Sequence, residues 1–243
     1  MLRNLTWIPR LWLPGFVLSA TLASSAQVTS STAEIDPPDL NLILQRLEDV
    51  QHQAPAQSRP YEVTREYKVL RGDNTQPTAE VMAQINFVPP DTKTYKIIQA
   101  KGDSRGERMV RELLDRETDT AKKVHGDEVT RTNYDFVFLR REDFGLLPEY
   151  VLRIVPKRKD KYLLRGQIWV DAHTFRVRRM QGVPAKSPSF WITTLHLTVQ
   201  FAELNGMWVP VSFDAIATIR FLGEYTLAGL NIPPSEPPTT VPK

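Results

Sequence analysis

Aromatic and long apolar side chains are the residues in this sequence whose types and spacing suggest a binding chemistry. Several lie in or beside predicted strands, and Phe190 and Trp191 follow a proline-containing loop at the rim of the predicted sheet. Aromatic rings exposed at a rim can grip an apolar chain. We predict that ten residues line a ligand-binding cavity or form its rim: Phe136, Phe138, Trp169, Phe190, Trp191, Leu197, Val199, Phe213, Met109 and Leu113. The alternative is that these side chains only pack the core.

Signatures of catalysis are missing from the sequence. It has no cysteine, no glycine-rich phosphate loop and neither of the motifs H-E-x-x-H and G-x-S-x-G. The four histidines are His52, His125, His173 and His196. None of them has a partner at the spacing that metal binding or acid–base chemistry needs. We therefore expect a protein that is not an enzyme and that has no cofactor and no metal site.

The charge of the chain is nearly balanced. There are 31 Lys and Arg residues against 28 Asp and Glu residues, and the formal charge of +3 is too small to indicate nucleic-acid binding. Two local basic clusters stand out, one at Lys157 to Lys161 and one formed by Arg176, Arg178 and Arg179. These clusters could meet anionic head groups or an acidic partner, with at most peripheral membrane contact. Alternatively, they only keep exposed sheet edges soluble.

The first 26 residues have the pattern of a secretory signal peptide. Arg3 and Arg10 supply positive charge, an apolar core spans 11–23, and small residues lead up to Ala26. The core is well short of the roughly 20 residues that a membrane span needs. We expect cleavage after Ala26 and a periplasmic protein. Without the signal peptide the chain has 29 basic residues against 28 acidic ones.

Three further segments are predicted after the signal peptide. Residues 27–37 form a small, polar and flexible lead, and residues 38–231 form a single domain. Residues 232–243 contain five prolines, which cannot join a helix or a central strand. We expect this last segment to be a disordered or polyproline tail.

Two helices are predicted from apolar residues at spacings of three and four. The first helix begins after Asp39 and ends near Gln53, before Pro55. The second helix follows Gly102 and carries a narrow apolar stripe. The stripe consists of Met109, Val110, Leu113 and Leu114.

About ten strands are predicted between residues 61 and 230, because apolar and polar residues alternate there. The dipeptide Asn205-Gly206 predicts a hairpin between strands at 190–202 and 207–221. Residues 134–139 are apolar at nearly every position, which predicts a strand covered on both faces.

The elements together indicate the architecture. A wide sheet with one apolar face must curl or pack on itself, and two short helices cannot cover it flat. We predict a mainly β protein with two helices (α+β), in which a curved antiparallel sheet forms an incomplete barrel covered by the helices. The interior is either filled by side chains or holds an apolar ligand.

Two hairpin passages resemble a known family. YLLRGQIWVD at 162–171, followed by TFRV at 174–177, is similar to the pattern G-x-[IVL]-W-[IV]-D-x-x-[TS], and LNGMWVP at 204–210 resembles the pattern I-N-G-x-W-x-P. The family that both passages resemble is the outer-membrane lipoprotein-sorting (LolA/LolB-like) superfamily, over roughly Leu40 to Leu230. The resemblance implies a periplasmic carrier that binds a lipid or lipoprotein and serves outer-membrane biogenesis. It also leaves open a non-transporting, envelope-sensing or protein-interaction module with a filled core.

Overall fold

The computed structural model describes residues 39–121, 128–145 and 147–232. The predicted signal peptide, the lead and the proline-rich tail lie outside these residues, apart from Ile232, which ends the last strand. The elements of the described chain are α1 (Leu40–Gln57), β1 (Tyr61–Arg71), β2 (Ala79–Val88), β3 (Thr92–Gly102), α2 (Ser104–Ala121), β4 (Tyr134–Phe144), β5 (Leu147–Pro156), β6 (Leu164–Asp171), β7 (Val177–Pro184), β8 (Ile192–Leu204), β9 (Met207–Ile219) and β10 (Gly223–Ile232).

The ten strands of the described chain form one antiparallel sheet. Their order is β3-β2-β1-β10-β9-β8-β7-β6-β5-β4. Consecutive strands are neighbours in the sheet, except that β3 and β4 lie apart, and β1 also pairs with β10. Strands β3 and β4 are the two edges, and the sheet does not close into a barrel. The predicted fold class, mainly β with two helices on an open antiparallel sheet, is confirmed.

Each helix begins at an aspartate that caps it. The Asp39 carboxylate accepts a hydrogen bond from the amide of Asn41 at 2.9 Å, and the Asp103 carboxylate accepts one from the amide of Gly106 at 2.6 Å. A side-chain oxygen at this position satisfies an amide that would otherwise have no partner at the helix start. These caps determine where both helices leave the preceding chain.

The helices cover different parts of the sheet. Helix α1 buries Ile43, Leu44 and Leu47 against strands β4 to β7, and α2 buries Val110 and Leu114 against β1, β2 and β10. The predicted apolar stripes of both helices are therefore the faces that pack on the sheet. Two separate clusters of core side chains result, one beneath each helix.

Three local predictions are wrong. Helix α1 continues past Pro55 to Gln57, because Pro55 lies two residues from the end of the helix and disturbs only its last turn. Strand β9 ends at Ile219, so Phe221 lies in a turn rather than in the strand. The outer face of the edge strand β4 is not covered, since Val137 remains 40% exposed.

The hairpin predicted at Asn205-Gly206 is confirmed. Both residues have positive φ angles, 52° and 80°, and they join β8 to β9. Paired positive φ angles match the twist of the two strands in a tight two-residue turn.

No helix in the described ranges is long and apolar enough to cross a membrane.

Candidate functional site

A cavity of about 600 Å³ lies against the C-terminal half of α1 at one end of the sheet. Its volume is within the range of about 300–1,000 Å³ that small-molecule sites occupy. The lining residues are Leu47, Val50, Gln51, Ala54, Gln57, Ser58, Tyr61, Phe87, Pro89, Pro90, Glu128, Val129, Phe175, Arg176, Val177, Met180, Phe201, Met207, Trp208 and Val209. Most of these residues are apolar or aromatic, so the cavity suits an apolar ligand.

The β8–β9 hairpin forms one wall of the cavity. Phe201 comes from the end of β8, and Met207, Trp208 and Val209 come from the start of β9. The indole nitrogen of Trp208 donates a hydrogen bond to the backbone oxygen of Val177 at 2.7 Å. This bond fixes the Trp208 ring between β9 and β7.

Helix α1 forms the opposite wall and is tied to the segment before β4. The Gln51 side-chain nitrogen donates to the Val129 oxygen at 2.8 Å, and its side-chain oxygen accepts from the Val129 nitrogen at 3.0 Å. Glu48 pairs with Arg131 at 2.7 Å. Hydrogen bonds from Arg131 hold the pKa of the Glu48 carboxyl below its usual value. This side of the cavity is therefore held by polar contacts.

Two charged side chains, Arg176 and Glu128, are among the described residues that line the cavity. The Arg176 guanidinium carbon lies 5.4 Å from the centroid of the Trp208 ring, within the range of a cation–π contact. Glu128 is exposed, so its carboxylate reaches water. No group of three or more acidic or histidine side chains in the described ranges is placed to hold a metal ion.

None of the ten residues predicted to bind a ligand is among the described residues that line this cavity. Phe136 and Phe138 are half-buried on β4 and pack on the core cluster beneath α1. The Phe138 ring makes an edge contact with Tyr150, with centroids 6.4 Å apart. Whether either side chain meets a ligand stays a prediction.

Three predicted residues lie in the cluster beneath α2. Met109, Leu113 and Phe213 are half-buried there, and the Phe213 ring centroid lies 6.1 Å from that of Tyr67. The Phe213 ring also covers Gly229, where an added Cβ would come within 2.2 Å of it. Phe213 therefore fills space that a larger residue at 229 would need.

The other predicted strand residues lie elsewhere on the sheet. Trp169 is buried, its indole donates to the Glu142 carboxylate, and the Arg179 guanidinium stacks 3.7 Å from its ring. Leu197 and Val199 are half-buried on β8. None of these three residues is among the described residues that line the cavity.

Phe190 and Trp191 form part of an exposed cluster that we call the aromatic tip, which consists of Phe190, Trp191, Phe221 and Leu222. The exposed fractions are 72% for Phe190, 56% for Trp191 and 94% for Phe221. The Phe190 and Trp191 rings meet edge to face, with centroids 5.6 Å apart. The tip precedes β8 and follows β9, so it lies at the end of these strands opposite the cavity.

Arg65 is a buried charge that is not among the ten predicted site residues. It lies in β1 and its Nε donates to the Asn231 side-chain oxygen at 2.7 Å. Its Nη1 lies 3.4 Å from the carboxylate of Glu117 on α2, which also pairs with Lys93 on β3. This network ties α2 to three strands. Arg65 interrupts the apolar alternation of β1, and that interruption was the available signal.

The sequence did contain signals for part of the cavity. Trp208 stands in the hairpin passage 204–210, and Phe175, Arg176 and Val177 stand in the passage 174–177. Both passages indicated hairpins, and each hairpin contributes side chains to the cavity. The contribution from α1, near Val50 and Ala54, could not be predicted because it depends on how the helix lies on the sheet.

Comparison with known proteins gives matches among solved structures alone. No protein-family model matches the chain, and no curated protein does. A LolA superfamily protein from Nitrosomonas europaea is 13% identical, with 78% of this chain and 90% of that chain covered and a TM-score of 0.33. A lipoprotein-sorting protein domain from Vibrio parahaemolyticus is 13% identical, with 79% and 92% covered and a TM-score of 0.40.

A third match is MucB in the MucA/MucB complex of Pseudomonas aeruginosa, which is 10% identical, with 77% of this chain and 93% of that chain covered and a TM-score of 0.26. Two of these structures carry the name of the superfamily that the passages at 162–177 and 204–210 resemble.

Proposed function

We propose that this protein binds the acyl chain of a lipid or lipoprotein in the cavity beside α1 and acts as a periplasmic carrier. The observation that supports this proposal is the cavity of about 600 Å³ with its mainly apolar and aromatic lining. Burial of an acyl chain needs no covalent step. It contributes about 0.8 kcal/mol for each methylene group removed from water.

Access to the cavity is proposed to depend on the last part of α1, after Gln51, whose amide is hydrogen-bonded to Val129. The buried side chains of α1 are Ile43, Leu44 and Leu47, in its N-terminal half, whereas the described side chains from Val50 to Gln57 are half-buried or exposed. A helix anchored at one end can move at the other with little loss of packing. Such movement would open the cavity.

The proposal is tested by measuring binding of an uncharged fluorescent acyl probe to the purified protein. Ala54 lines the cavity, whereas Ala56 is an exposed α1 residue outside the lining. Side chains two positions apart on a helix point in directions that differ by roughly 200°. We expect Ala54→Trp to fill the cavity and weaken probe binding at least about tenfold, and Ala56→Trp to leave binding unchanged.

Organic extraction of the protein after mild purification gives a second readout. Mass spectrometry is expected to find an acyl lipid in the wild type and less of it in Ala54→Trp. An extract without lipid, from a protein that also ignores the probe, would contradict the proposal. Equal probe binding by Ala54→Trp and the wild type would contradict this location.

A second candidate function is docking to an envelope protein through the aromatic tip. Phe190, Trp191 and Phe221 expose large rings in one cluster. Clustered exposed aromatic residues are typical of surfaces that bind partners. This function does not need the cavity.

Photo-crosslinking in intact cells separates the second candidate from the first. A photoreactive residue at position 190 is expected to capture a defined envelope protein, and one at the exposed position Ile98 on β3 is not. The Trp191→Ser substitution should abolish the crosslink from position 190. A crosslink that persists in Trp191→Ser, or that forms equally from position 98, would rule out specific docking at the tip.

A further inference from the structure

The polar side chains that line the cavity differ in whether they have hydrogen-bond partners within the protein. Gln51 makes hydrogen bonds with Val129 through both the oxygen and the nitrogen of its amide. Its amide is therefore already paired within the protein. Arg176 is different, because its guanidinium lies over the face of the Trp208 ring, and a ring face satisfies no N–H donor.

Arg178 and Arg179 on β7, just after Arg176 in the chain, give a direct comparison. Arg178 pairs with Asp171 at 2.9 Å, and Arg179 lies 3.8 Å from Glu142. No carboxylate in the described ranges lies within 4.0 Å of the Arg176 guanidinium. Of the three basic residues in this cluster, the one that lines the cavity is the one without an acidic partner.

The position of Arg176 is also fixed. The Trp208 ring beneath its guanidinium is held by the hydrogen bond from the indole nitrogen to Val177, and Arg176 is half-buried. A half-buried guanidinium that is held against an aromatic face presents a planar set of donors. Such a set matches the two oxygens of a carboxylate or phosphate group.

We propose that the cavity ligand is a single-chain amphiphile with an anionic head group, and that Arg176 binds this head group at the cavity wall. The inference rests on the proposed acyl-chain binding and specifies its ligand class. The chain lies along the apolar lining, and the head group receives hydrogen bonds from Arg176. The exposed carboxylate of Glu128 is the other charged lining group and disfavours a head group placed near it.

The test compares four probes with the same twelve-carbon chain: laurate, dodecyl phosphate, dodecanol and dodecylamine. Each is tested for displacement of the uncharged fluorescent probe from the wild type, Arg176→Gln and Arg153→Gln. Arg153 is an exposed residue on β5, and its substitution is the control. All probes are used below their micelle concentrations.

Charge-assisted hydrogen bonds contribute enough to change affinity by about tenfold or more. The wild type is therefore expected to bind laurate or dodecyl phosphate at least about tenfold more tightly than dodecanol, and dodecylamine most weakly. The ratio of the affinities for laurate and dodecyl phosphate identifies the preferred head group. In Arg176→Gln the affinity for the two anions should fall by at least about tenfold more than the affinity for dodecanol, so that the preference for anions falls to about one. Arg153→Gln should behave as the wild type does.

The outcomes separate this inference from the proposed function. Equal binding of laurate, dodecyl phosphate and dodecanol by the wild type would overturn the anionic head group and leave acyl-chain binding intact. An anion preference that survives in Arg176→Gln would overturn the role of Arg176. Failure of all four probes to bind would overturn both the inference and the proposed function.

Discussion

Phe221 is the residue whose backbone and side chain are both in unfavourable positions. Its φ angle is 64° and its side chain is 94% exposed. A left-handed conformation costs most residues roughly 1–2 kcal/mol, and asparagine adopts it more readily. We expect Phe221→Asn to raise the free energy of unfolding by about 0.5–1 kcal/mol in urea titrations. Leu222→Asn is the control, and an equal gain there would show that backbone strain is not the cause.

Substitution of Glu117 in the Arg65 network is expected to lower the free energy of unfolding. Glu117 pairs with both Arg65 and Lys93, so Glu117→Gln leaves two cations together at a mostly buried site. Loss of one partner from such a group typically costs about 2–3 kcal/mol. Urea unfolding should show this loss in Glu117→Gln and a smaller one in Lys93→Met, where Arg65 keeps its carboxylate. A larger loss in Lys93→Met would contradict the assignment of Glu117 as the shared partner.

Single residues also mark how far the sequence could predict the site. Alternation in a strand gives the face of a side chain, but it does not say which helix or loop covers that face. Trp169 and Trp208 both stand in strands and look equivalent in sequence, yet Trp169 stacks under Arg179 while Trp208 lines the cavity. The difference depends on packing between distant segments. Arg65 was passed over because a buried charge is uncommon in an apolar alternation.

Helix α1 is the element for which the structure predicts a pH effect. Arg131 donates hydrogen bonds to the Glu48 carboxylate, and this lowers the pKa of Glu48 from its usual value of 4.5. A lowered folded-state pKa means that the carboxylate stabilises the fold fully above about 4.5, and that this contribution is lost as the pH falls through the lower pKa. Glu48→Gln should therefore destabilise the protein at pH 7, and by progressively less as the pH is lowered below 4.5, as measured by urea unfolding. A loss of stability in Glu48→Gln that is the same at every pH would contradict the role of the Glu48 charge.

The same helix is expected to be unevenly stable along its length. Ile43, Leu44 and Leu47 are buried, whereas the side chains described after Gln51 are exposed. Local opening costs least where few apolar contacts are lost. Hydrogen exchange should therefore be slow for amides near Leu47 and fast for those at 52–57, and an acyl ligand should slow the fast group. Uniform protection along α1 would contradict a movable C-terminal half.

Elements were predictable where local rules determine them. The Asn205-Gly206 turn and the two apolar helix stripes follow from short-range patterns, and they are present in the structure. The end of α1 and the end of β9 were not predicted, because each depends on how the chain continues outside the element. A helix can stop before a proline near its end or continue for a few residues past it, and a strand can stop before an aromatic residue or include it.

For the whole molecule, the antiparallel order of consecutive strands was predictable, since short turns join most of them. The pairing of β1 with β10 was not, because it joins residues such as Tyr67 and Gly229 that are far apart in sequence. This pairing joins the first three strands of the sheet to the last strand of the described chain. The cavity is a further consequence of it, because lining residues such as Tyr61, Phe87 and Trp208 come from strands on both sides of that junction.

A ligand in a cavity lined by segments so far apart in sequence should stabilise the whole fold. Binding to the folded state alone adds about 2.7 kcal/mol to the free energy of unfolding when the free ligand is at a hundred times its Kd. Laurate below its micelle concentration should therefore raise the Tm of the wild type, and the rise should grow with the logarithm of its concentration. Ala54→Trp, whose indole is expected to occupy the cavity, should show little of this rise, and Ala56→Trp should show all of it. An equal rise in Tm for both variants would place the bound acyl chain on some other surface, because the two substitutions add the same side chain to the same helix and differ in whether it enters the cavity.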